Sequence, residues 1–381
     1  MRKRIPIQGL AGLLLATLAL VAAGCGSGAS EADADSDTDT DTDTDTDTDD
    51  DTDTQPPAVI GQLYVDTDGS DHSSYDRGFT AGTDTPLAGT EVILLGEAGD
   101  EARTADANGR YAFGALADGT YLVAPQIAAS RLAATRNLPR RLPEAIAEGT
   151  VTIVTFGDSL PVVGVTDRFP ARLAAMLSPL AEVTSNNVAA GGTTSDDWLP
   201  GTSLFENALV PALADADVVV VSLGGNDILF HIEDGMNSGQ VWAAIDGMEE
   251  FALEVMDRVM TIARRVHEIN PTADLVYCLY MNYATSTRWG EWVGPLQSYA
   301  VDKLDDTLEL IRTSIPRDQD LVLVDIYAAT EGEDLDPYLL DELHFTDSGH
   351  RRYAQEIFKA LGGVLVDPGP LGLEQAVGLL P

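Results

Sequence analysis

The chain has 381 residues, of which 62 are acidic and 22 basic, giving a formal charge of −40 at pH 7. So few basic side chains cannot neutralise a run of phosphates, so we expect no nucleic-acid partner. The length suggests two folded domains with additional segments, and the scattered cysteines and histidines match neither a disulfide framework nor a structural zinc site.

The N-terminus has the features of an export signal. Arg2-Lys3-Arg4 precedes an apolar segment, Leu10 to Ala23, that is too short to span a bilayer as a helix. Ala22-Ala23-Gly24-Cys25 resembles the lipobox of bacterial lipoproteins, which implies cleavage after residue 24 and lipidation of Cys25. No aspartate follows Cys25, and in diderm bacteria this implies sorting to the outer membrane. We therefore predict a signal peptide over 1–24 and a lipid anchor in the cell envelope, with a plain signal peptide as the alternative.

Residues 25–57 are predicted to form a disordered tether. Positions 36–54 are almost entirely an Asp-Thr repeat, in which like charges repel and no apolar side chain is present to be buried. Such a segment separates folded domains from a membrane surface without adding a contact of its own.

Residues 58–127 alternate short apolar runs with turn sequences, which predicts a small antiparallel β-sandwich. The predicted strands are Ile60–Val65, Glu91–Leu95, Arg110–Phe113 and Thr120–Val123. The segment resembles prealbumin-like surface modules of the carboxypeptidase-regulatory and Cna-B/SdrD B types, which implies spacing or binding. Residues 128–150 then read as a linker or a short packing helix.

One loop of this module carries oxygen ligands at the spacing of a calcium loop. Asp66-Thr-Asp-Gly-Ser-Asp71 supplies the carboxylates, but no glutamate lies six positions after Asp71 to act as a bidentate ligand. The alternatives are a weak Ca²⁺ site and a plain acidic turn.

From residue 151 the chain alternates predicted strands and helices, which is typical of a parallel sheet covered on both faces. The predicted strands are 151–156, 183–188, 217–223, 274–280 and 321–325, and the predicted helices are 168–178, 241–269, 297–314 and 348–361. Right-handed crossovers between them predict an α/β fold, a flavodoxin-like three-layer sandwich over 151–365. A tail, 366–381, follows.

The first strand of this region ends in a serine. Val151–Phe156 is a buried strand by its composition, and Gly157 allows the tight turn that places Ser159 at the carboxyl end of the sheet. Ligands of open α/β sheets bind at that edge, so the Ser159 hydroxyl is predicted to face a cleft.

Three later stretches have matching chemistry, although each alone is more often an ordinary turn. Gly192 exposes a backbone N–H, the Asn226 amide can donate two hydrogen bonds, and Asp341 precedes His344 by the three positions that let a carboxylate orient an imidazole. All three stretches follow successive predicted elements, which makes chance agreement improbable.

Together these stretches resemble the sequence blocks of the SGNH/GDSL hydrolase family over residues 151–361. The matching positions are Gly157-Asp158-Ser159-Leu160, then Asn187 with Gly192, Thr194 and Ser195, then Gly224-Gly225-Asn226-Asp227, and finally Asp341 with His344. The resemblance implies that Ser159 is the nucleophile, His344 the general base and Asp341 its orienting carboxylate. It also implies an oxyanion hole formed by the N–H groups of Ser159 and Gly192 with the Asn226 side chain, and it implies no metal or organic cofactor.

Phe345 departs from the family pattern, in which many secreted relatives carry proline after the histidine. This departure concerns the conformation of the loop and not the role of His344.

The sequence is less informative about the substrate. Trp198, His231, Trp289 and Trp292 all follow predicted strands and are candidates to line the crevice at the carboxyl ends. Tryptophans in that position suit stacking on a sugar, packing in the core or holding an acyl chain, and the sequence leaves these alternatives open.

The preferred interpretation is a surface-anchored carboxylic ester hydrolase acting on acyl esters, acylated glycans or lysophospholipid. An acyltransferase on the same fold is one alternative. A binding or adhesion lipoprotein with an inert α/β domain is another, but the complete set of site residues argues against it.

Overall fold

The structure is a computed structural model that describes residues 59–65, 81, 83–114, 116–127, 139–289, 294–315 and 321–366. All of them belong to one compact unit, Pro56–Pro381. The predicted signal peptide, Cys25, the Asp-Thr tether and the Asp66–Asp71 loop lie outside the described residues.

The N-terminal region forms antiparallel sheets, as predicted. Its strands are β1 (Val59–Gln62), β2 (Tyr64–Val65), β3 (Thr85–Pro86), β4 (Glu91–Gly96), β5 (Glu101–Thr104), β6 (Arg110–Phe113) and β7 (Gly119–Gln126). β1 pairs with β6, β2 with β3, and β4 with both β5 and β7. Phe113 of β6 packs with Val92 of β4 and Val123 of β7 in a shared core, so two sheet layers bury one apolar interior.

A strand from the far end of the described chain completes the larger of these sheets. β13 (Gly363–Val366) pairs antiparallel with β7, which gives the order β13-β7-β4-β5. Val364 of β13 is 2 % exposed and belongs to the same core as Val92 and Val123. The α/β region therefore contributes a strand and a core side chain to the N-terminal module.

The central sheet has five parallel strands in the order β12-β11-β10-β8-β9. Their bounds are β8 (Thr150–Gly157), β9 (Glu182–Asn187), β10 (Val218–Ser222), β11 (Asp274–Cys278) and β12 (Val322–Val324). Taken in chain order this is the 2-1-3-4-5 arrangement of flavodoxin-like folds, and it confirms the predicted α/β class. The order reverses between β8 and β10, so the crevice typical of such sheets opens between the ends of those two strands.

Nine helices in the described part of the chain connect and flank this sheet. They are α1 (Arg141–Glu148), α2 (Phe169–Leu177), α3 (Val210–Leu213), α4 (Gly225–Ser238), α5 (Val241–Asp246), α6 (Met248–Ile269), α7 (Gln297–Ser314), α8 (Ile326–Ala329) and α9 (Asp347–Ala360). The predicted helix over 241–269 is two helices, because α5 ends at Asp246 and Gly247 separates it from α6. Thr346 caps the start of α9, since its side chain accepts a hydrogen bond from the N–H of Gly349.

Burial explains the central position of β8 and β10. All five residues of β10 are buried, and so are six of the eight residues of β8 from Ile153 through Gly157 and at Val151. Strands that are covered on both faces carry such continuous apolar runs. Because β8 and β10 lie in the middle of the sheet, the residues after Gly157 and Ser222 lie at the middle of its carboxyl edge.

The N-terminal edge of the sheet is held by two buried carboxylates. Asp274 accepts hydrogen bonds from the backbone N–H groups that begin α1, at 2.7 to 3.1 Å, while Asp217 accepts from Thr152 N–H and from Arg141 Nε. The side chain of Arg141 therefore helps to fix α1 to this edge of the sheet.

Of the helices that the structure describes, none combines the length and the apolar character that crossing a membrane requires.

Candidate active site

The turn after β8 depends on glycine at position 157. Gly157 has a φ of +134°, and a Cβ added to it would lie 1.8 Å from the carbonyl oxygen of Ser222. Any side chain would therefore push β8 and β10 apart. The next residue, Asp158, donates its N–H to that same carbonyl at 2.9 Å, and Ser159 follows at the switch point of the sheet.

Three side chains form a continuous hydrogen-bonded series beside that turn. His344 Nε2 lies 3.0 Å from Ser159 Oγ, and His344 Nδ1 lies 2.8 Å from Asp341 Oδ2. Ser159 comes from the end of β8, whereas the other two precede α9, so the fold joins residues 185 positions apart. Both distances are within the range of a base that removes a proton from a hydroxyl while a carboxylate holds its ring.

Asp341 is held by its own loop as well as by the imidazole. Its Oδ1 accepts the backbone N–H groups of Leu343 and His344 at 2.9 and 2.7 Å. Partial burial by itself raises the pKa of Asp341, but the hydrogen bonds from His344 and Leu343 outweigh it and lower that pKa to about 2. The carboxylate is thus ionised at every pH at which an imidazole can act as a base.

Phe345 fixes the loop that carries His344. It is fully buried, its ring centroid lies 4.5 Å from that of Tyr353, and it forms a bridge with Leu339. The carbonyl of His344 accepts the N–H of Leu340 at 2.7 Å. At this position an aromatic side chain packed in the core restrains the loop.

The loop after β9 passes beside Ser159. A Cβ added to Gly191 would lie 3.9 Å from the Ser159 Cβ, and the next residue, Gly192, has a φ of +75° that favours glycine. Asn226, in the first turn of α4, donates Nδ2–H to the carbonyl of Thr193 at 2.9 Å, and its amide has a second N–H to donate. Ser159, the Gly191–Gly192 loop and Asn226 therefore come together, and the donor role of Gly192 stays a prediction.

A buried ionic network, which the sequence did not predict, joins the loop after β9 to the first turn of α4. Asp227 accepts the N–H and the hydroxyl of Ser195 at 2.9 and 2.6 Å, and Arg258 of α6 reaches the same hydroxyl at 2.7 Å and Asp227 at 3.3 Å. Ser195 and Asp227 follow β9 and β10, so this network fixes one loop against the other. The sequence could have indicated this contact, because Ser195 and Asp227 both belong to stretches that match the family's sequence blocks.

Of the predicted substrate contacts, Trp198 is wrong. Its side chain is fully buried against Phe156, with ring centroids 5.2 Å apart, and its Nε1–H donates to Thr193 Oγ1 at 3.0 Å. Thr193 Oγ1 in turn donates to the carbonyls of Gly157 and Ala190. Trp198 thus packs in the core against the loop that carries Thr193 and lies outside the crevice.

The other three predicted contacts have different outcomes. His231 stacks on Phe251 with centroids 4.3 Å apart, and its Nε2 lies 3.0 Å from the carbonyl of Ala244, so it packs helices together. Trp289 is 3 % exposed and lines the pocket at Ser159. Trp292 lies outside the described residues.

Asp158 is a buried carboxyl next to the nucleophile whose environment the sequence did not reveal. It is 2 % exposed, its Oδ2 accepts a hydrogen bond from Tyr280, and its Oδ1 accepts the N–H of Leu160 at 3.0 Å. Burial raises the pKa of Asp158 to about 6, against the opposing effect of these hydrogen bonds.

This shift predicts a pH-dependent stability difference for Asp158→Asn. The folded protein holds the Asp158 proton more tightly than the unfolded chain, whose ordinary pKa is 3.8, so the stability that the carboxyl contributes at low pH is lost as the pH rises through 6. The variant has no such titration. Urea unfolding should show its free energy of unfolding rising relative to wild type by about 2 kcal/mol between pH 4 and pH 7.

The control for this measurement is Asp215→Asn, because Asp215 is exposed and folding does not bury it. Its difference from wild type should stay flat. If the difference in free energy of unfolding between Asp158→Asn and wild type were also independent of pH, burial would not disfavour the ionised form of Asp158.

An apolar pocket adjoins these groups. Asp158, Ser159, Gly224 and Asn226 line one part of it. Side chains of α4, α6 and α7, together with Tyr277 of β11 and the segment that follows this strand, line most of the rest. Its cavity volume is about 60 Å³. In the described part of the chain, no group of three or more His, Cys, Asp or Glu side chains is placed to hold a metal ion.

The sequence profile of the GDSL-like lipase/acylhydrolase family matches residues 155–352, slightly more than half of the chain. Among solved structures, a lipase from a goat rumen metagenome is 18 % identical, with a TM-score of 0.45, over 56 % of this chain and 98 % of its own. An extracellular lipase from Streptomyces rimosus is 18 % identical, with a TM-score of 0.42, over 55 % and 99 %. A phospholipase A1 from Streptomyces albidoflavus NA297 is 20 % identical, with a TM-score of 0.41, over 54 % and 98 %. No curated protein matches the chain.

Proposed function

Since the chain belongs to the GDSL-like lipase/acylhydrolase family, we propose that it is an ester hydrolase in which Ser159, His344 and Asp341 form the catalytic triad. The observation that supports this best is the hydrogen-bonded series from Ser159 Oγ through His344 to Asp341, at 3.0 and 2.8 Å. The series lies at the switch point of the sheet, where flavodoxin-like folds bind their ligands.

The reaction follows from the positions of the protons. Ser159 Oγ attacks the ester carbonyl as His344 Nε2 takes its proton, and the imidazolium then gives that proton to the departing alcohol. The acyl group is left on Ser159. A water molecule enters, loses its proton to the same Nε2 and attacks the acyl-enzyme, which releases the acid and restores the serine.

Negative charge on the carbonyl oxygen is stabilised in this proposal by three donors. The backbone N–H groups of Ser159 and Gly192 and the Asn226 amide are assigned to this oxyanion hole. The contact of Asn226 with the Thr193 carbonyl supports the assignment, because it orients the amide before any substrate binds.

A fluorophosphonate probe tests the proposal, since it reacts with activated serines. The protein should be labelled at Ser159, and it should hydrolyse p-nitrophenyl esters. A folded protein that takes no label and cleaves no ester would instead fit a binding lipoprotein, whereas product esters formed with an added alcohol would indicate an acyltransferase.

Replacing Asn226 with alanine should lower kcat by roughly 10²- to 10³-fold, which is about 3–4 kcal/mol. KM should change little, because the donor acts on an oxygen that becomes charged in the transition state. Steady-state kinetics with p-nitrophenyl acetate measure both constants.

Asn207→Ala is the matched control, because Asn207 is exposed and bonds only to Ser203 among the described side chains. It should leave kcat and KM at wild-type values. A rise in KM alone for Asn226→Ala would make Asn226 a substrate-binding residue and remove it from the oxyanion hole.

We further propose that the protein is exported and anchored in the cell envelope through a lipid on Cys25, in the outer membrane of a diderm bacterium. The support is the sequence Ala22-Ala23-Gly24-Cys25 after a charged start and an apolar segment.

Cys25→Ser should abolish labelling by radioactive palmitate and move the protein from the membrane fraction to the soluble fraction, because two or more acyl chains are what holds a lipoprotein in a membrane. Ser27→Ala is the control and should remain membrane-bound. Retention of Cys25→Ser in the membrane after a carbonate wash would contradict the anchor.

A further inference from the structure

Tyr280 lies between the turn that carries the proposed nucleophile and the turn that carries a proposed oxyanion donor. It follows the end of β11 and is 8 % exposed. Its hydroxyl donates a hydrogen bond to Oδ2 of Asp158, the residue directly before Ser159. Its ring lies against the backbone of Gly225, the residue directly before Asn226, since a Cβ added to Gly225 would lie 2.7 Å from Tyr280 Cε1. One side chain therefore contacts both turns.

The contact of the ring with Gly225 is one that only a residue without a side chain permits. The added Cβ would also lie 3.0 Å from Tyr280 Cζ. Carbon atoms that are not bonded to each other prefer separations of about 3.5–4.0 Å, so a side chain at position 225 would displace either the ring or the start of α4. The ring of Tyr280 therefore sets how closely the start of α4 approaches the segment after β11.

The hydrogen bond between Tyr280 and Asp158 has a defined direction. Burial raises the pKa of the Tyr280 hydroxyl well above its usual value, so the hydroxyl keeps its proton and acts as the donor. Burial also raises the pKa of Asp158 to about 6, and the hydrogen bond from Tyr280 opposes this rise. At pH 8 Asp158 is therefore ionised, and the hydrogen bond that holds it is charge-assisted. Its other oxygen accepts the N–H of Leu160 at 3.0 Å, so the carboxylate is bonded on both sides of Ser159.

We propose that Tyr280 is a positioning residue, which fixes the separation between Ser159 and Asn226 and so holds the Asn226 amide where the carbonyl oxygen becomes negative. The assignment rests on the proposed function, because this separation affects a reaction only if an ester is cleaved at Ser159. Tyr280 acts through Asp158 and Gly225, its neighbours on the two turns, and not on the substrate. Removal of its hydroxyl should therefore change kcat and leave KM unchanged.

The first test is Tyr280→Phe, which keeps the ring and removes only the hydroxyl. At pH 8, kcat for p-nitrophenyl acetate should fall roughly 10- to 100-fold, because a misplacement of about 1 Å can slow a reaction about 100-fold. KM should stay within about twofold of the wild-type value. Kinetics equal to wild type overturn the assignment. A rise in KM with kcat intact overturns it as well, because Tyr280 would then contact the substrate.

Tyr121→Phe is the matched control. Tyr121 of β7 is also 8 % exposed, and its hydroxyl also donates one hydrogen bond, to the carbonyl of Ala117 at 2.8 Å. Because Tyr121 lies in the N-terminal module, this variant should have a lower melting midpoint and wild-type kcat. If kcat fell equally in Tyr121→Phe and Tyr280→Phe, the loss would reflect a weakened fold, and the assignment would be overturned.

A double-mutant cycle with Asn226→Ala tests the route by which Tyr280 acts. Without the Asn226 amide, the separation that Tyr280 fixes has no side-chain donor to position. In the Asn226→Ala background, Tyr280→Phe should therefore lower kcat less than about threefold, so the two effects are strongly non-additive. Equal losses in both backgrounds would mean that Tyr280 acts independently of Asn226, and they overturn the assignment.

Gly225→Ala replaces the first test if Tyr280→Phe does not fold. This variant keeps the Tyr280 hydroxyl and displaces the start of α4 from the ring, so it should lower kcat at least tenfold with KM unchanged. Gly114→Ala is its control, because a Cβ at Gly114 would meet no atom of the described residues within 4 Å. Wild-type kinetics in Gly225→Ala overturn the assignment.

The wild-type protein distinguishes failure of the positioning role from failure of the proposed function. If a fluorophosphonate labels Ser159 and the protein hydrolyses p-nitrophenyl acetate, wild-type kinetics in Tyr280→Phe overturn the positioning role alone. If the wild-type protein takes no label and cleaves no ester, the proposed function is overturned, and the positioning role with it.

Discussion

Ser159→Ala is expected to lower kcat for p-nitrophenyl acetate by roughly 10⁵- to 10⁶-fold, the scale on which loss of a serine nucleophile acts. The loss is that large because no other hydroxyl lies at His344 Nε2 in the described site, and the acyl-enzyme cannot form without Ser159 Oγ. A fluorophosphonate probe should no longer label the protein. Residual activity should come from the attack of water on a substrate carbonyl whose oxygen is stabilised by the proposed oxyanion donors.

The fold of this variant should be intact. Ser159 is only 8 % exposed, so its hydroxyl is less accessible than the sequence predicted. The deleted oxygen bonds to the imidazole of His344, whose side chain is 23 % exposed and reaches water. The melting midpoint should therefore shift by no more than about 3 °C. Ser185→Ala, at an exposed position of β9, is the control. Wild-type turnover in Ser159→Ala would remove Ser159 from the mechanism.

Asp341→Asn is expected to lower kcat by up to about 10⁴-fold. The amide can donate to His344 Nδ1, which forces the ring proton onto Nε2, the atom that must accept the Ser159 proton. The backbone bonds from Leu343 and His344 can still be accepted by the amide oxygen, so the loop should hold its shape. Kinetics at several pH values and the melting midpoint test both parts.

Asp347→Asn is the comparison for this variant, because Asp347 is a carboxylate near the same loop that pairs with Arg172 and touches neither His344 nor Ser159 in the described contacts. It should keep wild-type kcat. A loss below tenfold for Asp341→Asn would mean that the backbone of the loop orients the imidazole without help from a charge. The low pKa of Asp341 would then be a consequence of the loop and not a requirement of the reaction.

The parts of the fold that the sequence predicted are those governed by local pattern. β8 and β10 are runs of apolar β-favouring residues with a glycine or serine at the end, and composition alone locates them. The stretches at Ser159, Gly192 and Asn226 could be expected to meet for a similar reason, because each follows a strand of the same sheet and the sheet brings the carboxyl ends of its strands together.

The parts that were missed depend on contacts between distant residues. The sequence did not predict α4, which begins at Gly225. Glycines followed by polar residues are typical of a turn, and only the packing of this segment against α6 shows that it is a helix. β5 is exposed at all four positions, so it lacks the alternation that identifies a strand. Trp198 was predicted to line the crevice because it follows a strand of the sheet. Its full burial in the core excludes contact with substrate, and no local sequence pattern indicates that burial.

Asp158 was missed for a different reason. An aspartate after a strand is an ordinary turn residue, and only the approach of Tyr280, 122 positions away, shows that the carboxyl is enclosed and that its pKa is raised. Chemistry that depends on burial is seldom visible in the residue itself.

The pairing of β13 with β7 has a consequence for the order of folding during synthesis. β13 leaves the ribosome about 240 residues after β7, which at 5–20 residues per second is a delay of roughly 10 to 50 s. During that interval β7 has one unpaired edge, and the core around Val92 lacks Val364. The first module to be translated is thus among the last to be completed, and we expect a fragment ending near residue 127 to associate through its open strand.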